Sequence, residues 1–587
     1  MALVWRAGKF DALLIMAFSV VQALMPAARL WISKLLLDAV ADAITGKLGD
    51  PAEAFSRMVG LLGLQIALTL VSNFLSTIQS SRRELFGHRL QNQIAEQILR
   101  KATKLSLGQF ENPESYDKLQ NAYREVGSRP LGVFIQVITL GQAVITLVSV
   151  SALMFQLGPL IVPLVLLASV PGVIVSSKFG AANYRMLRWQ ASDARAQSYI
   201  GSLLTNDASV KEVRLFQFGE FLIGKWLEYY GKFRQQLVSL VKRRTWWDFG
   251  ASMLSATMIG GATALVLLRA AAGRMTVGDF GLFIQGIGQL QGQFGNLLSG
   301  FSGIYQNLLY MRNLYEFLEL APDSGMDGDT WEGPIHTIEF DNVSFRYPLT
   351  ERDVLKGVTF SITRGQMLAL VGENGAGKST IVKLLTGLYR PTGGRILFNG
   401  EDVARYSTAS LATEMSAIFQ DFGQYQMTVD ENIALQHYEG GVPVEPSARD
   451  AGAHEFISRL PEGYRNMLGR WFEGGVQLSG GQWQRIALAR LYYHGGSVLV
   501  FDEPTSALDA DAEYEVIETL RKAASERITL VVSHRFSTVR LANHIVVIED
   551  GVVSEAGSHE ELMAIPGGTY ERMFSKQARG YVQGYAE

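Results

Sequence analysis

A glycine-rich segment in the second half of the chain has the residue types that bind phosphate. Residues 371–380 fit the pattern G-x-x-x-x-G-K-[ST]. Glycine lets backbone N–H groups wrap around phosphate oxygens, the lysine ammonium reaches the outer phosphates, and the serine hydroxyl can bind Mg²⁺. The apolar run 367–371 predicts a strand before the loop and 379–385 predicts a helix after it, which is the order that a phosphate-binding loop requires. The residues predicted to bind are Gly372, Asn374, Gly375, Gly377, Lys378, Ser379 and Thr380.

Two adjacent acids, Asp502 and Glu503, follow the apolar run 497–501. If that run is a buried strand of an α/β sheet, it delivers both carboxylates to the carboxyl end, where such sheets bind ligands. One carboxylate can then organise the shell of a Mg²⁺ ion and the next can polarise an attacking water. Two acids after an apolar run are also common in a solvated turn, so this pair alone leaves both interpretations open.

Composition indicates more than one domain, because 587 residues exceed what one core usually organises. Hydrophobic residues make up 48% and the mean hydropathy is +0.12, but the long apolar runs fill roughly the first 320 residues only. A net charge of −3 gives no sign of a nucleic-acid partner. Since there is no cysteine, disulfides, iron–sulfur clusters and cysteine-ligated zinc are excluded.

Six apolar segments in the first half have the length needed to cross a membrane, which is about 20 residues. They are 13–37, 58–78, 131–156, 160–176, 249–268 and 280–303. The first runs past Leu30 without a small-residue cleavage site after a short core, so it predicts an uncleaved membrane helix and not a signal peptide. The N-terminal half is therefore predicted to be a bundle of six transmembrane helices.

The connections 80–129 and 178–244 are long, polar and rich in Arg and Lys, whereas the opposite connections are short and carry few. The positive-inside rule places the long connections and the N-terminus in the cytoplasm, and six spans return the chain there. We therefore predict a multi-pass protein of the plasma (bacterial inner) membrane with both termini cytoplasmic. The long connections are expected to be helical extensions of the membrane helices.

Polar residues recur at helical spacing within two of the spans. The sixth span carries Gln285, Gln289, Gln293, Asn296, Gly300, Gly303 and Asn307. The first carries Ser19, Gln22, Pro26, Arg29 and Ser33, with Arg29 near its middle. Spacings of three and four place each set on one helix face, and a polar face turned to lipid would leave its hydrogen bonds unmet. Two interpretations stay open: hydrogen bonds between packed helices, or a water-filled substrate path formed by Arg29, Gln285, Gln289, Gln293 and Asn296.

The second half predicts a soluble α/β domain. Residues 321–334 have the composition of a linker, and from about 336 short apolar strands alternate with amphipathic helices. The predicted fold is thus a transmembrane domain over 1–320, a linker over 321–334, and an α/β P-loop NTPase domain over 335–587.

The order of motifs resembles the nucleotide-binding domain of ATP-binding cassette (ABC) proteins. After the phosphate loop come Gln420, the pentapeptide 478–482, Asp502 with Glu503, the segment 506–509, and His534. This resemblance covers about 335–578. The layout of residues 1–320 resembles the membrane domain of ABC exporters, so the whole chain is similar to an exporter half-transporter.

The resemblance implies a role for each matching residue. Tyr347 would stack on adenine, Gln420 would contact Mg²⁺, Glu503 would be the catalytic glutamate, and His534 would lie near the γ-phosphate. The implied catalytic residues are Glu503, His534 and Gln420, and the implied Mg²⁺ residues are Ser379, Gln420 and Asp502. A strand-end tyrosine and an ordinary polar histidine are the alternatives for Tyr347 and His534.

A second set of residues would act on the site of another subunit. In the family, the signature pentapeptide and the end of the D-loop complete the partner's ATP site, which implies that role for Ser479, Gly480, Gly481, Gln482 and Asp509. The segments 110–117 and 207–214 look like the coupling helices that touch the nucleotide domains.

These observations predict an ATP-hydrolysing exporter that moves a drug, a peptide or a lipid-like substrate by alternating access. The implied cofactors are ATP and Mg²⁺. Two copies of the chain form the expected homodimer, and a related half-transporter is the alternative partner. A lipid or lipid-linked-sugar flippase is the main alternative function, and an ATP-gated channel or a regulatory subunit is a further one.

Overall fold

The computed structural model describes residues 2–46, 51–125, 129–189, 191–504 and 510–583. The chain divides into two compact units, one formed by Met1–Arg100 with Lys118–Glu319 and the other by Lys101–Asp117 with Leu320–Glu587. Residues 101–117 lie inside the predicted 1–320 domain but group with the second unit. The first unit is helical, and the second contains all the strands of the described residues.

Long helices dominate the first part of the chain, as its apolar runs predict. The helices there are α1 (Ala2–Ile44), α2 (Pro51–Ala102), α3 (Leu107–Glu111), α4 (Pro113–Glu125), α5 (Arg129–Phe155), α6 (Ile161–Trp189), α7 (Ala191–Thr205), α8 (Asp207–Leu215), α9 (Gly219–Ala271) and α10 (Val277–Leu318). Helices α2 and α9 have 52 and 53 residues, more than twice the about 20 that a bilayer needs, so each extends well beyond its apolar part.

Within the described residues, five helices are long and apolar enough to cross a membrane: α1, α2, α5, α6 and α9. Each of them matches one predicted span, although 131–156 ends one residue after α5 and 160–176 begins one residue before α6. The sixth predicted span, 280–303, lies in α10, which is not among the five. The glutamines of this helix lower its hydropathy, and the count of six spans stays a prediction.

Small residues let α10 approach its neighbours closely. A Cβ atom on Gly281 would lie 2.2 Å from the Leu37 side chain in α1, and one on Gly303 would lie 2.0 Å from the Gln136 side chain in α5. Asn307 of α10 also donates to Gln136 Oε1 at 3.0 Å. Close backbone approach and interhelical hydrogen bonds are the means by which helices associate in lipid.

The second unit contains two sheets. Its strands are β1 (Thr337–Phe345), β2 (Leu355–Thr363), β3 (Met367–Val371), β4 (Gly393–Phe398), β5 (Glu401–Asp402), β6 (Met415–Ile418), β7 (Val498–Asp502), β8 (Ile528–Val532), β9 (His544–Glu549) and β10 (Val552–Gly557). A four-stranded antiparallel sheet has the order β2-β1-β4-β5. A six-stranded sheet has the order β10-β9-β3-β8-β7-β6 and is parallel except for its β10 edge.

The parallel sheet places the chemistry-bearing segments side by side. Strands β3, β7 and β8 are buried at every position, as expected for parallel strands covered on both faces. Because β8 pairs with both β3 and β7 in parallel, their carboxyl ends meet at one edge. The phosphate loop follows β3, Glu503 follows β7, and His534 lies two residues after β8.

The further helices of the second unit are α11 (Lys378–Leu385), α12 (Thr408–Ala412), α13 (Val429–Ala434), α14 (Glu445–Asp450), α15 (His454–Ser458), α16 (Gly480–His494), α17 (Ala510–Ala524), α18 (Phe536–Val539), α19 (His559–Met563) and α20 (Thr569–Gln583). The predicted linker is partly packed onto the unit. Trp331 is buried, with its ring 4.9 Å from the ring of Tyr406. The Asp329 N–H also donates to the Arg405 carbonyl at 3.0 Å.

Candidate nucleotide site

The phosphate loop connects β3 to α11 in a form that requires glycine. Gly377 caps α11 with φ 112°, in the left-handed region where side chains are strained. A Cβ on Gly377 would lie 2.6 Å from the Leu355 side chain, and one on Gly372 would lie 2.2 Å from the Ile548 carbonyl oxygen. The loop is therefore held close to its neighbours, with its backbone N–H groups at the start of a helix.

Lys378 is the first residue of α11, and its side chain reaches back to the loop. Its Nζ donates to the carbonyls of Gly372 at 2.7 Å and Glu373 at 2.9 Å. Burial lowers the pKa of Lys378, and the carboxylates of Glu503 and Asp502 oppose that shift. Because burial disfavours the charged ammonium, an anionic phosphate in the loop would be a favourable partner for it.

Asp502 is buried at the end of β7, only 5% exposed. Burial raises its pKa, while a hydrogen bond with Ser379 and the charge of Lys378 lower it. The Ser379 hydroxyl and the Asp502 carboxylate therefore meet beside the loop, and both offer the oxygen ligands that Mg²⁺ prefers. Among the described residues no group of three or more His, Cys, Asp or Glu could hold a metal ion. A Mg²⁺ ion here would thus also need oxygens of the nucleotide and of water.

Glu503 is fixed at its backbone and at both carboxylate oxygens. Its φ is 53°, which costs about 1 kcal/mol or more for a residue with a Cβ. Its N–H donates to the Val532 carbonyl at 2.9 Å. Gln420 Nε2 donates to Oε2 at 3.0 Å, and His534 Nδ1 lies 3.3 Å from Oε1. The structure thus brings together Gln420, Glu503 and His534, the three residues predicted to be catalytic.

These groups surround one cavity of about 750 Å³. It is lined by most of the residues predicted to bind ATP in the chain's own site: Tyr347, Asn374, Gly375, Gly377, Lys378, Ser379, Thr380, Gln420, Glu503 and His534. Gly372 and Asp502 do not line it, although Gly372 belongs to the same loop and Asp502 hydrogen-bonds to Ser379. The cavity is of the size of typical small-molecule sites.

Two lining residues, Val354 and Val532, were not predicted. Val354 directly precedes β2, and its N–H donates to the Phe345 carbonyl at 2.8 Å, close to Tyr347. Val532 is the last residue of β8 and pairs with Asp502. The position of Val532 could have been predicted, because it is the last residue of the apolar run that leads to His534.

The signature segment begins α16, as a helix N-terminus. The Ser479 hydroxyl accepts a hydrogen bond from the Gln482 N–H at 3.3 Å, and the Gln482 side chain accepts one from the Ser479 N–H at 2.9 Å. None of the four predicted signature residues in the described chain, Ser479, Gly480, Gly481 and Gln482, lines the chain's own cavity. Asp509 lies outside the described residues, as does the whole segment 505–509.

The polar residues predicted to form a substrate path lie on two helices of the first unit that pack together, α1 with Arg29 and α10 with the others. Gln285, Gln289 and Asn296 are exposed on this chain and Gln293 is partly exposed. The Gln285 side-chain amide donates to Ser33 Oγ in α1 at 3.3 Å. Arg29, the predicted path residue of α1, is partly buried. Its Nε and Nη2 atoms have no hydrogen-bond partner in the described parts of the chain.

A different cavity, of about 760 Å³, lies between α6, α9 and α10. None of the five predicted path residues lines it. Its wall combines apolar side chains with the charged Arg244 and Asp248 and with hydroxyl and amide groups, among them Ser169, Ser176, Ser252, Ser255, Gln291 and Ser299. The sequence could have indicated this polar wall. Gln291, Ser299 and Ser302 of α10 also recur at helical spacing, on a helix face other than the predicted one.

Fold and site together define a multi-pass membrane protein that carries an ATP-hydrolysing domain. Residues 12–294 match the ABC transporter transmembrane region, and residues 355–506 match the ABC transporter family. The subtilin transport ATP-binding protein SpaT of Bacillus subtilis is 31% identical over 556 residues, 93% of this chain and 88% of SpaT. The nisin transport ATP-binding protein NisT of Lactococcus lactis subsp. lactis is 28% identical over 572 residues, 96% of this chain and 93% of NisT.

Among solved structures, a bacterial Atm1-family ABC exporter with ATP bound matches with a TM-score of 0.78 and 26% identity, covering 96% of this chain and 98% of that one. The chain therefore belongs to the ABC transporter family and is an exporter in which ATP hydrolysis drives transport across a membrane.

Proposed function

We propose that two copies of this chain form an exporter of peptides in the plasma membrane of a bacterium. Support comes from SpaT and NisT, whose names describe transport of subtilin and nisin and which match more than nine-tenths of this chain. The cavity between α6, α9 and α10 has serine hydroxyls and glutamine amides among apolar side chains, and these polar groups suit the main chain of a peptide. This cavity is therefore a second candidate for the substrate path. The first candidate is the path predicted from Arg29 and the polar face with Gln289.

The observation that carries the ATPase part of the proposal is the position of Glu503 between Gln420 and His534. Glu503 orients the attacking water and accepts its proton as the water oxygen bonds to the γ-phosphorus and ADP leaves. Gln420 and His534 hold the two carboxylate oxygens, so the base is fixed before the nucleotide arrives. Lys378 and the loop N–H groups stabilise charge on the phosphates, and Tyr347 stacks on adenine.

Mg²⁺ fits the same site. Ser379, Gln420 and Asp502 would hold it through oxygen ligands, together with phosphate oxygens and water. When bound, the ion neutralises charge on the phosphates. The hydrogen bond between Ser379 and Asp502 already places two of these groups next to each other.

The homodimer part of the proposal is supported by the signature segment. Ser479, Gly480, Gly481 and Gln482 begin a helix but lie away from the chain's own cavity, so their helix N-terminus is free to face the phosphates of a partner's nucleotide. We propose the same role, completion of the partner's ATP site, for Asp509. Since Lys378, Glu503 and His534 are all present, two copies of the chain would form two competent sites.

We further infer that both termini are cytoplasmic. The basic residues of the long extensions α2 and α9, including Arg82, Arg89 and Arg243, favour that side of the membrane. ATP is available on the same side, as the nucleotide domain requires.

Ligand-stimulated ATPase activity of the purified dimer in nanodiscs tests the substrate class. A panel of cationic peptides, drugs, phospholipids and lipid-linked sugars is compared at equal concentration. Stimulation by peptides alone is the expected result. Stimulation by lipids alone would make the chain a flippase, and the absence of ATPase activity with every ligand would favour a channel or a regulatory subunit.

A further inference from the structure

Residues 101–117 belong to the second unit, although the chain enters and leaves them through helices of the first. Backbone and side-chain hydrogen bonds fix them to residues 321–323, which lie in the predicted linker and belong to the same second unit. The Asp323 N–H donates to the Lys104 carbonyl at 2.8 Å, and Gln109 Nε2 donates to the Ala321 carbonyl at 3.0 Å. The five-residue helix α3 within this segment is therefore held in one place on the domain.

Glu111 is the last residue of α3, and both of its carboxylate oxygens contact the nucleotide domain. The Tyr389 hydroxyl donates to Oε2 at 2.5 Å, and Lys383 Nζ lies 3.3 Å from Oε1. Gly108 suits this close approach, since a Cβ there would lie 3.3 Å from the Tyr389 ring, which is tighter than most Cβ contacts. Burial raises the pKa of Tyr389, with a further contribution from Glu111, so the phenol stays a donor to this carboxylate.

Lys383 and Tyr389 in turn contact Tyr347, the aromatic residue that lines the nucleotide cavity. The Lys383 ammonium lies 5.4 Å from the centre of the Tyr347 ring, within cation–π distance. The rings of Tyr347 and Tyr389 meet edge to face, 5.4 Å apart at 86°. The Tyr347 hydroxyl is 3.0 Å from Thr380 Oγ1 of the phosphate-loop helix. The ring is thus held by an ammonium, an aromatic edge and a hydroxyl.

The flexible stem of Lys383 makes Glu111 necessary to this arrangement. An ammonium on four rotatable carbons has no fixed position over a ring unless an anion holds it. Glu111 supplies that anion and also orients Tyr389 through its other oxygen. A ring that is already in place costs less entropy when a flat base stacks on it.

We propose that Glu111 is a positioning residue for base recognition, which acts through Lys383 and Tyr389 to hold the Tyr347 ring for the adenine of ATP. The inference rests on the proposed role of Tyr347. Binding free energies are reciprocal, so a base stacked on Tyr347 also strengthens the hold of the domain on α3. A triphosphate without the base cannot stack on Tyr347, so it should not strengthen the hold of the domain on α3.

Equilibrium binding of ATP and of tripolyphosphate, each with Mg²⁺, separates these contributions in the full-length protein. Glu111→Gln is expected to weaken ATP binding by about three- to tenfold, the size of a lost charge-assisted contact that is partly exposed. Tripolyphosphate affinity should not change. Glu332→Gln, the same substitution at an exposed position of the second unit, should bind both ligands as the wild type does.

Tyr347→Ala distinguishes a failure of this inference from a failure of the proposed site. It should weaken ATP and not tripolyphosphate; equal ATP affinity in this variant would remove the adenine role from Tyr347. If Tyr347→Ala loses ATP affinity while Glu111→Gln binds ATP like the wild type, the positioning role is wrong. A Glu111→Gln variant that loses both affinities equally would also overturn it, since the effect would then be general to the domain.

Hydrogen exchange of residues 101–117 tests the reciprocal effect without any substitution. We expect ATP to slow exchange at the backbone amides of α3, and tripolyphosphate to leave it unchanged. Equal protection by both ligands would show that the phosphates, and not the base, are linked to this segment, and the inference would fall.

Discussion

At the scale of single residues, Glu503 should separate ATP binding from ATP hydrolysis. Glu503→Gln keeps the shape of the side chain and the phosphate loop but removes the anionic base. We expect ATP affinity to stay within about twofold of the wild type and turnover to fall at least ~100-fold, since each 1.36 kcal/mol of lost transition-state stabilisation is tenfold in rate. Phosphate release measures turnover, and a variant within about threefold of wild-type turnover would move the base role to another residue.

Lys378 should instead affect binding itself. Its ammonium lies inside the loop, on the carbonyls of Gly372 and Glu373, where a phosphate would meet it. Lys378→Ala is expected to weaken ATP binding by tenfold or more, because a buried charge-assisted contact to phosphate is lost. Lys356→Ala, at an exposed lysine of the same domain, is the matched control. Equal ATP affinity in the two variants would contradict the assignment of the loop.

The residue types at this site were predictable, but their convergence was not. The pattern of glycines and Lys378 identifies a phosphate loop without any structure, because loop geometry imposes it locally. Gln420 and Glu503 are 83 residues apart and Glu503 and His534 are 31 apart. These separations do not predict that Gln420 Nε2 and His534 Nδ1 lie 3.0 and 3.3 Å from the Glu503 carboxylate oxygens. The short distances follow from the parallel pairing of β6, β7 and β8.

At the scale of elements, the start of α16 allows a test of whether the ATP site is shared between two chains. Ser479→Arg places bulk and positive charge at the helix N-terminus, so the full-length dimer should bind ATP but lose nearly all hydrolysis. Ser479→Ala controls for the lost cap, which is worth about 1 kcal/mol. It should be as stable as Ser479→Arg and clearly more active.

Mixing two inactive chains makes this test decisive. In a dimer of one Ser479→Arg chain and one Glu503→Gln chain, the shared-site arrangement leaves one site with an intact glutamate and an intact signature. One of the two sites is then intact. If each site turns over independently, the mixed dimer should regain about half of the wild-type ATPase activity. Two differently tagged copies, purified through both tags, provide the sample. No recovery above either parent would argue against a site completed in trans.

Elements with strong hydrophobic periodicity were predictable, and short ones were not. The apolar runs predicted the helices α1, α2, α5, α6 and α9, whose composition suits a membrane. Helix α3 has five residues, too few for a periodic signal. The resemblance indicated contact with the nucleotide domain only for 110–117, whereas the whole segment 101–117 groups with the second unit. That grouping depends on hydrogen bonds to Ala321 and on the contacts of Glu111, which no local pattern encodes.

At the scale of the whole molecule, the polar face predicted on the sixth span divides into two parts. Its second half, with Gly303 and Asn307, packs against α5 and fits the interpretation of helix–helix contact. Gln285 and Gln289, in the first half, stay exposed on this chain. Helical spacing predicts which residues share a face, but it cannot say whether that face meets a helix, water or a second copy.

Cysteine labelling decides the surroundings of Gln289, because this chain has no cysteine of its own. Gln289→Cys should react with a membrane-impermeant thiol reagent if the residue lines a water-filled path, and its labelling should change when ATP and vanadate trap one conformation. Leu70→Cys is the matched control: Leu70 is 64% exposed on the apolar helix α2, so a cysteine there should lie in lipid and stay unlabelled. If Gln289→Cys is as unreactive as Leu70→Cys in every nucleotide state, Gln289 belongs to a contact between helices or between chains. The cavity of α6, α9 and α10 would then be the remaining candidate for the substrate path, and Ser299→Cys, on its wall, would be the next position to label.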